Sequence, residues 1–499
     1  MNYILDSKQM AYFDKNTTEK HGVPSMVLME KAALSVAEYV MEVYDRRSVK
    51  VACLCGPGNN GADGVAIARL LHLAGYDVAV LVLGKPEKFS SQMNQQIAIA
   101  RSYGLEILEA DDGEELSKLA SIDQASLIID AIFGIGLSRP VEGVYKTAIE
   151  QINGADAFKI AADIPSGFSA DSGKVLGLGV QADTTITFGY MKKGLLLSDC
   201  SLSCGQIELM DVGIYVEPEM ENQLSCYIDQ EAEGYLPQRP KNANKGSQGK
   251  ILIIAGSRSI YGACYLSAKA ALAAGSGLVK IYTHENNIAS IQQALPEAMY
   301  AGYSSYKEEE IKSLLDWADA VLIGPGLGTE TLSQQIFTTV LKYDKAPMVI
   351  DADGLNILSR NLKLLDDMAE KKIPVILTPH LKEMERLTGI DLSIINDTME
   401  QTAIDFVEKH PCTLVLKNYT TLIADSEGRT YFSDIGNQAL ATPGSGDVLA
   451  GITVSMLGQK QNSVLSAILG VYLHGRAGCR ASEEYGMQGV LASHIIENM

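Results

Sequence analysis

The side chain most suggestive of chemistry in this chain is Asp447, which follows small residues and precedes an apolar run in TPGSGDVLAG, residues 442–451. The glycines let another molecule approach the backbone closely, and the apolar run predicts a buried helix that begins here. Free N–H groups at a helix start favour an anion. Asp447 is then expected in the first turn beside that anion, although an Asp there also serves simply as a favourable partner of the helix dipole.

Further segments of the second half place polar groups next to predicted strand ends. They are residues 255–264, 323–328, 377–380 and 415–421. Each has a structural alternative: a plain turn for the glycines after Ile323, a helix cap for His380, and a solvated strand end for Lys417. Because ligands bind at the carboxyl ends of parallel strands, their joint occurrence favours one shared site.

The first half contains a glycine-rich loop, CGPGNNGADG at residues 55–64, between a predicted buried strand and a helix. Many such loops serve packing alone, which makes the glycines weak indicators. Asn59, Asn60 and Asp63 are more informative, because polar side chains of this kind do not build a core. The loop is therefore predicted to hold a polar ligand.

Two acidic residues occur at the ends of other apolar strands in the first half. Asp130 lies within LIIDAIFGIGL and Asp163 within ADIPSG, with Ser166 close behind. An unpaired acidic group deep in an apolar strand is costly. Each Asp alone is also compatible with a hydrogen-bonded cap, but three converging strand ends favour a cation shared by carboxylate, amide and hydroxyl oxygens.

Apolar strands alternate with helical patterns in both halves, which indicates parallel sheets covered by helices on both faces. The predicted strands of the first half are residues 49–55, 77–83, 126–133 and 158–165. Those of the second half lie in KILIIAG, GLVKIYT, AVLIGPG, PMVIDADG, PVILTPH and TLVLKNY, and the chain is helical after residue 444. Residues 216–248 have no periodic face and predict either a domain boundary or a connecting arm with a phosphate-facing loop.

The bulk composition excludes several classes of partner. With 499 residues the chain exceeds one core and should form two or three domains. Its 41 basic and 61 acidic side chains give a net charge of −20, which repels nucleic acid and anionic membranes. The eight cysteines match neither a disulfide framework nor a zinc site. A polar N-terminus and the lack of long apolar runs predict a cytoplasmic protein.

The motifs GPGNNGADG, DAIFGIGLSRPVEG, DIPSG and HGVPSMVLMEKAA together resemble the NAD(P)H-hydrate epimerase domain. The resemblance implies a Rossmann-like three-layer domain with a parallel sheet over residues 1–218. It also implies a potassium ion held by Asn60, Asp130 and Ser166. Lys31 departs from the pattern, which usually has Asn at that position.

The resemblance further implies that the hydrated nicotinamide binds against the potassium ion. The implied substrate contacts are Asn59, Asn60, Gly61, Ala62, Asp63, Gly134, Ile135, Gly136, Leu137, Ser138, Arg139, Pro140 and Asp163. Epimerisation inverts a carbon that bears a hydroxyl next to a ring nitrogen, and this requires proton transfer at a positioned group. Asp163 is the candidate for that role.

In the second half, AGSRSIYGACYLSAKAALAAGSGLVK, IGPGLG, DADGLN, LTPHLKEMERL and GNQALATPGSGDVLAG resemble the ADP- or ATP-dependent NAD(P)H-hydrate dehydratases. The resemblance implies a ribokinase-like α/β domain over residues 224–499. The implied contacts to the hydrated dinucleotide are Ala263, Gly326, His380 and Asp447. The implied nucleotide contacts are Lys417, Asn418, Tyr419, Thr420, Thr421, Asn437, Thr442, Gly444, Ser445 and Gly446. This sequence departs from the family pattern at two places. Asn418 stands where the family usually has glycine, and residues 438–440 differ from the usual segment before Ala441 and Thr442.

The resemblance gives Asp447 a role. The Gly444–Gly446 loop and the helix start would hold the transferring phosphoryl group, while Asp447 accepts the proton of the substrate hydroxyl. Phosphate then leaves far more readily than hydroxide, which regenerates NADH or NADPH. Mg²⁺ is expected with the nucleotide phosphates. The resemblance also suggests a homo-oligomer, a tetramer or an octamer, and the use of ADP by bacterial members.

Two alternatives remain open from the sequence alone. The second half could be a true small-molecule kinase that shares the fold and the base but phosphorylates another alcohol. The first half could be a binding or assembly module without activity. Fusion of the two halves favours repair, because an epimerase would supply both hydrate forms to a stereospecific dehydratase. Asn60, Asp130, Asp163 and Ser166 all being present speaks against an inactive first half.

Overall fold

The structure is a computed structural model that describes residues 2–112, 124–343 and 345–499. The chain divides into two compact units, Asn2–Leu224 and Ser225–Met499. Within the described residues, no helix combines the length and the apolar character needed to cross a bilayer.

The first unit is built on a parallel sheet in the strand order β4-β3-β2-β5-β6-β7-β9, and β1 pairs separately with β8. Its strands are β1 Asn2–Leu5, β2 Lys50–Cys55, β3 Asp77–Leu83, β4 Ile107–Ala110, β5 Leu127–Ala131, β6 Phe158–Ala162, β7 Thr184–Phe188, β8 Met191–Lys192 and β9 Gln206–Met210. Its described helices are α1 Ser7–Glu19, α2 Ser25–Val43, α3 Asn59–Leu73, α4 Ser91–Ser102, α5 Val144–Gly154 and α6 Ser198–Ser201. Short 3-10 turns cover Pro86–Lys88, Lys193–Leu196 and Pro218–Gln223.

Helices cover both faces of this sheet, as the continuous apolar strands predict. Alternate residues of β2 point to opposite sides. Cys53 and Cys55 belong to a core cluster shared with α2 and α3, whereas Ala52 and Leu54 belong to a second cluster that contains the buried face of α5. The α/β fold class with a parallel sheet is therefore confirmed.

The second unit extends the same principle. Its strands are hydrogen-bonded in the order β13-β12-β11-β14-β15-β16-β17-β18-β19-β10. They are β10 Ser225–Tyr227, β11 Lys250–Ile254, β12 Leu278–His284, β13 Met299–Tyr303, β14 Ala320–Ile323, β15 Met348–Ile350, β16 Val375–Leu377, β17 Thr413–Leu416, β18 Thr421–Ala424 and β19 Thr430–Ser433. Only the pairs β17/β18 and β18/β19 are antiparallel among these.

The helices of the second unit pack mainly around this sheet. They are α7 Gly262–Ala273, α8 Glu285–Ala294, α9 Glu308–Trp317, α10 Thr331–Tyr343, α11 Asp353–Leu358, α12 Lys363–Glu370, α13 Leu381–Thr388, α14 Leu392–Asp397, α15 Met399–Lys409, α16 Ser445–Gly458, α17 Ser463–Tyr485 and α18 Ala492–Glu497. Short 3-10 turns cover Gln230–Tyr235, Lys245–Ser247 and Gln438–Leu440. The predicted helix after residue 444 is α16, and every residue from Val448 to Gly458 in it is buried.

The observed strand bounds differ from the predicted ones where the backbone leaves the extended region. The strand predicted over 158–165 ends at Ala162, because Asp163 has a φ of 72°, in the left-handed region. The segment 216–248, predicted without regular elements, contains 3-10 turns and the short strand β10. These short pieces have no hydrophobic periodicity that would reveal them.

Candidate active sites

The first unit encloses a cavity of about 620 Å³ at the carboxyl ends of β2, β5 and β6. Most of the predicted epimerase residues line it. These are Asn59, Asn60, Asp63, Gly134, Ile135, Gly136, Leu137, Ser138, Arg139 and Asp163. Gly61, Ala62 and Pro140 do not line the cavity: the first two are buried in the interior, and Pro140 is exposed. The structure thus brings the loop and two strand ends to one place.

The glycine-rich loop has two kinds of glycine. A Cβ on Gly56 would collide with the carbonyl of Ile132, and one on Gly61 with the carbonyl of Gly56, so these positions serve close packing. Gly58 lines the cavity and has open space around it, as does Gly136 in the segment after β5. Helix α3 begins at Asn59 without a side-chain cap. Its first N–H groups are consequently available to a polar ligand.

Asp130 and Ser166 form a fully buried hydrogen-bonded pair beside this cavity. The Ser166 hydroxyl donates to Asp130 Oδ1 at 2.6 Å, and the Ser166 backbone N–H donates to Oδ2 at 2.7 Å. Burial raises the pKa of Asp130 to about 6, against the lowering effect of the Ser166 hydrogen bonds. A carboxylate in such a place is stabilised by a nearby cation.

Asn60 adjoins the same segment. The position of a Cβ on Gly134 would lie 3.4 Å from Asn60 Oδ1, while Ser166 Oγ accepts from the N–H of Phe133 at 2.8 Å. The buried Asn60 Nδ2 forms no hydrogen bond with any described residue. Because Nδ2 has no hydrogen bond to lose, the Asn60 amide can rotate and point its oxygen toward an ion. The amide, carboxylate and hydroxyl oxygens therefore fit a hard monovalent cation.

Asp163 is held by a buried lysine. Lys192, which is 1% exposed, forms an ion pair with Asp163 Oδ1 and donates to the carbonyl of Phe188 at 2.6 Å. The N–H of Phe188 donates to the same carboxylate oxygen at 3.3 Å. The left-handed φ of Asp163 is strained for a residue with a side chain. Ion pair and backbone together fix this carboxylate at the cavity wall.

Two more carboxyls line the cavity, Asp14 and Asp63. Burial raises the pKa of Asp14. Burial, followed by the negative charges of Asp163 and Asp14, raises the pKa of Asp63 well above its usual range, and the Lys192 ammonium opposes that rise. Lys31 is not part of the wall: it makes a surface ion pair with Asp211 at 3.7 Å.

In the second unit, Asp447 lies in the first turn of α16, as predicted. The helix follows Gly444, which has a φ of 87° and provides no side-chain cap. Burial, followed by the charge of Asp351, raises the pKa of Asp447 to about 7, and the Lys417 ammonium opposes that rise. The backbone carbonyl of Asp447 accepts from Ser267 Oγ at 3.1 Å, which fixes this turn to α7.

Asp351 and Lys417 form the polar centre next to Asp447. Lys417 Nζ lies 3.0 Å from Asp351 Oδ1, and Thr378 donates to the same oxygen at 2.7 Å. A Cβ on Gly446 would lie 3.6 Å from Lys417 Nζ and 4.0 Å from Asp351 Oδ2. The start of α16 thus faces a lysine and a carboxylate across a space that the missing side chain of Gly446 leaves open.

The remaining predicted substrate residues lie at neighbouring strand ends. A Cβ on Gly326 would lie 3.1 Å from the Cβ of Ala263, so these two residues adjoin. His380 caps α13: its Nδ1 accepts from the Glu383 N–H at 3.2 Å. The capping alternative for His380 is therefore realised. Burial and then the Lys417 charge lower the pKa of His380, which keeps the ring neutral near Lys417.

The predicted nucleotide residues serve several local roles. Asn418 donates to Asn396 at 3.2 Å, Tyr419 is exposed, Thr420 is buried and Thr421 begins β18. Asn437 caps a 3-10 turn through Oδ1 and donates to Ser482 at 2.8 Å. The carbonyl of Thr442 accepts from the N–H of Ser445, whose hydroxyl lies 3.0 Å from the buried Nε2 of His474. Of this set, Lys417, Gly444, Ser445 and Gly446 surround the start of α16.

Comparison with known proteins follows the same two-part division. The family model described as YjeF-related protein N-terminus matches residues 25–194, and the one described as NAD(P)H-hydrate dehydratase matches residues 251–499. The chain is 34% identical over 492 residues to the bifunctional NAD(P)H-hydrate repair enzyme Nnr of Thermofilum pendens, covering 97% of this chain and 92% of that protein. The chain belongs to the bifunctional NAD(P)H-hydrate repair enzymes.

Other members and a solved structure show the same likeness. The Coxiella burnetii repair enzyme is 32% identical over 502 residues, covering 100% of this chain and 99% of its own. The ADP/ATP-dependent NAD(P)H-hydrate dehydratase from Bacillus subtilis, solved with ATP/Mg²⁺, is 29% identical, covers 55% of this chain and 96% of its own, and has a TM-score of 0.48. Membership makes this chain an NAD(P)H-hydrate epimerase and dehydratase, in preference to a kinase for another alcohol.

Several residues at these two repair sites escaped the sequence prediction. They are Asp14, Lys192, Asp351, Thr378 and His474. Asp351 directly follows the predicted strand PMVI, which is the signal that selected Asp130 and Asp163, and it stands in the quoted motif DADGLN. Lys192 gave no comparable signal, because MKK contains two adjacent lysines and only the fold buries the first one.

Proposed function

We propose that the Ser225–Met499 unit of this repair enzyme dehydrates the S form of NADH or NADPH hydrate at the expense of ADP or ATP. The proposal rests mainly on Asp447: a carboxyl with a pKa raised to about 7 stands in the uncapped first turn of a buried helix, beside Lys417. The helix start attracts the phosphoryl oxygens. A carboxylate with this pKa is well matched to accept a hydroxyl proton near neutral pH.

The reaction proceeds in two stages. Asp447 takes the proton of the C6 hydroxyl as that oxygen attacks the terminal phosphorus of the nucleotide, and the N–H groups after Gly444 and the Lys417 ammonium stabilise the transferring group. The lone pair of the ring nitrogen then forms the N1=C6 bond as the C6–O bond breaks and phosphate leaves. Loss of a proton from C5 restores the dihydronicotinamide.

Mg²⁺ is expected to enter with the nucleotide. The described residues contain no group of three His, Cys, Asp or Glu side chains spaced to hold a metal. At nucleotide sites Mg²⁺ is usually coordinated by phosphates, waters and only one or two carboxylates. Asp351 is the buried carboxylate nearest the Gly446 space and is the candidate protein ligand. Bound Mg²⁺ would supply charge neutralisation between the phosphates.

The dehydratase substrate and nucleotide residues follow the resemblance. We assign the hydrated dinucleotide to Ala263, Gly326, His380 and Asp447. We assign the nucleotide to Lys417–Thr421 and to the stretch Asn437–Gly446. Because Asn418 and Asn437 already hold side-chain hydrogen bonds, the adenosine contacts at these two positions are proposed to use backbone groups.

Epimerisation is proposed for the Asn2–Leu224 unit. The cavity of about 620 Å³ is large enough for a nicotinamide riboside portion, and it brings Asp163 and the loop residues together. Asn60, Asp130 and Ser166 would hold potassium, whose charge would favour the ionised form of Asp130 and orient the hydroxyl of the substrate. Asp163 is the residue assigned to proton transfer with the oxygen that is bound to C6.

We also propose that the protein assembles as a tetramer or an octamer and is cytoplasmic. The family resemblance supports the assembly, and the composition and N-terminus support the location. Light scattering on purified protein measures the assembly directly.

Activity is tested with Asp447→Asn, in which phosphoryl transfer should be lost while ADP still binds. An Asp447→Asn variant with wild-type turnover would remove this residue from the reaction.

A further inference from the structure

Asp63 is a cavity carboxyl for which the reaction so far has no use. It stands in α3, which begins at Asn59 within the glycine-rich segment after β2, whereas Asp163 directly follows β6. Strand β5 lies between these two strands in the sheet. With neighbouring strands about 4.8 Å apart, the ends of β2 and β6 lie roughly 10 Å apart. Asp63 and Asp163 both line the cavity at this edge of the sheet, and its volume of about 620 Å³ can hold a six-membered ring.

The two carboxyls have opposite electrostatic surroundings. Asp163 holds an ion pair with the buried Lys192 and accepts a hydrogen bond from the backbone N–H of Phe188. Within the described residues, the Asp63 side chain has neither a hydrogen bond nor an ion pair. The titratable groups that act on Asp63 are the carboxyls of Asp163 and Asp14 and the ammonium of Lys192, and the buried thiol of Cys55 also interacts with it.

These surroundings favour the protonated form of Asp63. Burial and two neighbouring negative charges raise its pKa, and the single ammonium that would lower it is already engaged by Asp163. A carboxyl with a raised pKa and a second carboxyl that is paired with a lysine can serve as an acid and a base on the wall of one cavity. Inversion at C6 through loss and return of water requires both: an acid for the departing hydroxyl and a base for the arriving water.

We propose that Asp63 is the general acid of the epimerase and that Asp163 is its general base on the opposite face of the ring. This rests on the proposed function of the first unit and names a second catalytic residue there. Asp63 protonates the C6 hydroxyl, and the C6–O bond breaks with its electron pair, releasing water. The N1 lone pair forms N1=C6. Water adds to C6 from the other face, its proton goes to Asp163, and N1 recovers its lone pair.

The cycle balances in protons. One turnover leaves Asp63 ionised and Asp163 protonated, which is the state required for the reverse inversion. For a second turnover in the same direction, both groups exchange their protons with solvent through the open cavity mouth.

The test measures epimerisation by the full chain, supplied with one purified hydrate epimer and no ADP or ATP, so that dehydration stays idle. The variants are Asp63→Asn, Asp63→Glu and the control Asp77→Asn, which removes the same charge from an exposed strand start. Asp63→Asn should lower kcat by roughly 10²- to 10⁴-fold with little change in KM. Asp63→Glu should recover part of that loss, and Asp77→Asn should match wild type.

The pH profile separates catalysis from structure. Wild-type kcat should fall at high pH as Asp63 ionises, and Asp63→Asn should lose this alkaline limb. In H₂¹⁸O each inverted molecule should carry one solvent oxygen, corrected for exchange without protein. If the wild-type chain epimerises the hydrate and Asp63→Asn does so with the same kcat, the assignment of Asp63 is wrong. It is also wrong if the inverted product keeps the original hydroxyl oxygen. An inactive wild-type chain would instead overturn the proposed function itself.

Discussion

Burial of Asp447 has two consequences that oppose each other. It raises the pKa of the carboxyl to about 7, which gives a base of useful strength at neutral pH. It also makes the ionised form costly in the folded chain, because in the unfolded chain the same carboxyl has its ordinary pKa of 3.8. Activity and stability should therefore respond in opposite directions when this charge is removed.

Asp447→Asn should lower kcat of the dehydratase by roughly 10²- to 10⁴-fold, because the amide cannot accept the hydroxyl proton. In wild type, kcat/KM should rise with pH through about 7 and level off above it, since only the ionised carboxyl acts as a base. ADP affinity, measured by calorimetry, should change little. A flat wild-type profile between about pH 6 and about pH 8 would contradict the role of Asp447.

The same variant should be more stable than wild type at pH 8. The folded pKa lies above the unfolded one, so the unfolded chain releases its proton first and wild-type stability falls as pH rises from about 4 to about 7. Asn has no such penalty. The gain is at most about 4 kcal/mol and should vanish below pH 3.8. Denaturant unfolding at two pH values measures it, and an equal or lower stability at pH 8 would count against a buried charge.

Lys192→Met should destabilise the first unit and stop epimerisation. Removal of this buried ammonium leaves Asp163 charged and unpaired at the cavity wall, which costs about 3–5 kcal/mol. The double variant Lys192→Met with Asp163→Asn should regain much of that stability but no activity. If the two single changes simply add in the double-variant cycle, Lys192 and Asp163 do not depend on each other.

Among the elements, helix α16 contains two glycines, Gly446 and Gly451, whose surroundings differ, so that substitutions at them form a matched pair. Gly446→Ala places a methyl group in ordinary contact with Lys417 and Asp351, in the proposed phosphoryl space. Gly451→Ala drives its methyl group into the carbonyl of Ser267 on α7. The first change should raise the KM for ADP at least about tenfold without loss of stability, whereas the second should cost about 1–3 kcal/mol.

Calorimetry and thermal unfolding separate these two outcomes. A stable Gly446→Ala with unchanged ADP binding would show that phosphate lies elsewhere. A fully stable Gly451→Ala would show that α7 and α16 pack less closely than the structure indicates.

The sequence could predict the elements that follow strong patterns. Strand β3 matches its predicted bounds, and α16 starts at the predicted glycines, because continuous apolar runs and glycine punctuation are local signals. Strands β7 and β9 and the antiparallel pairs of β18 were not predicted. Three of the five residues in Thr184–Phe188 are threonines, and the burial of this strand results from neighbours distant in the chain.

The sites divide in the same way. Asp130, Asp163 and Asp447 were found because an acidic residue at an apolar strand end or helix start is visible in the sequence. Lys192 and His474 were not, because their importance depends on pairing: Lys192 is buried against Asp163, and His474 lies beside Ser445 with a pKa lowered to about 4 by burial. Long-range pairing leaves no mark in local spacing.

For the whole molecule, the net charge of −20 opposes the approach of anionic dinucleotides and nucleotides. Each site contains positive side chains that attract these anions: Lys192 and Arg139 line the first cavity, and Lys417 lies at the start of α16. The two units hold separate catalytic groups. Asp163→Asn should therefore leave dehydration of the S hydrate intact, and Asp447→Asn should leave epimerisation intact, each measured with a single purified epimer.

The most direct test supplies a mixture of both NADH hydrate epimers with ADP or ATP and Mg²⁺ and follows the absorbance of the reduced ring. The wild-type chain should convert the entire mixture. Asp163→Asn should stop at the fraction of S hydrate, apart from the slow exchange seen without protein, and Asp447→Asn should give almost no recovery. Full recovery by Asp447→Asn at the wild-type rate would contradict the account.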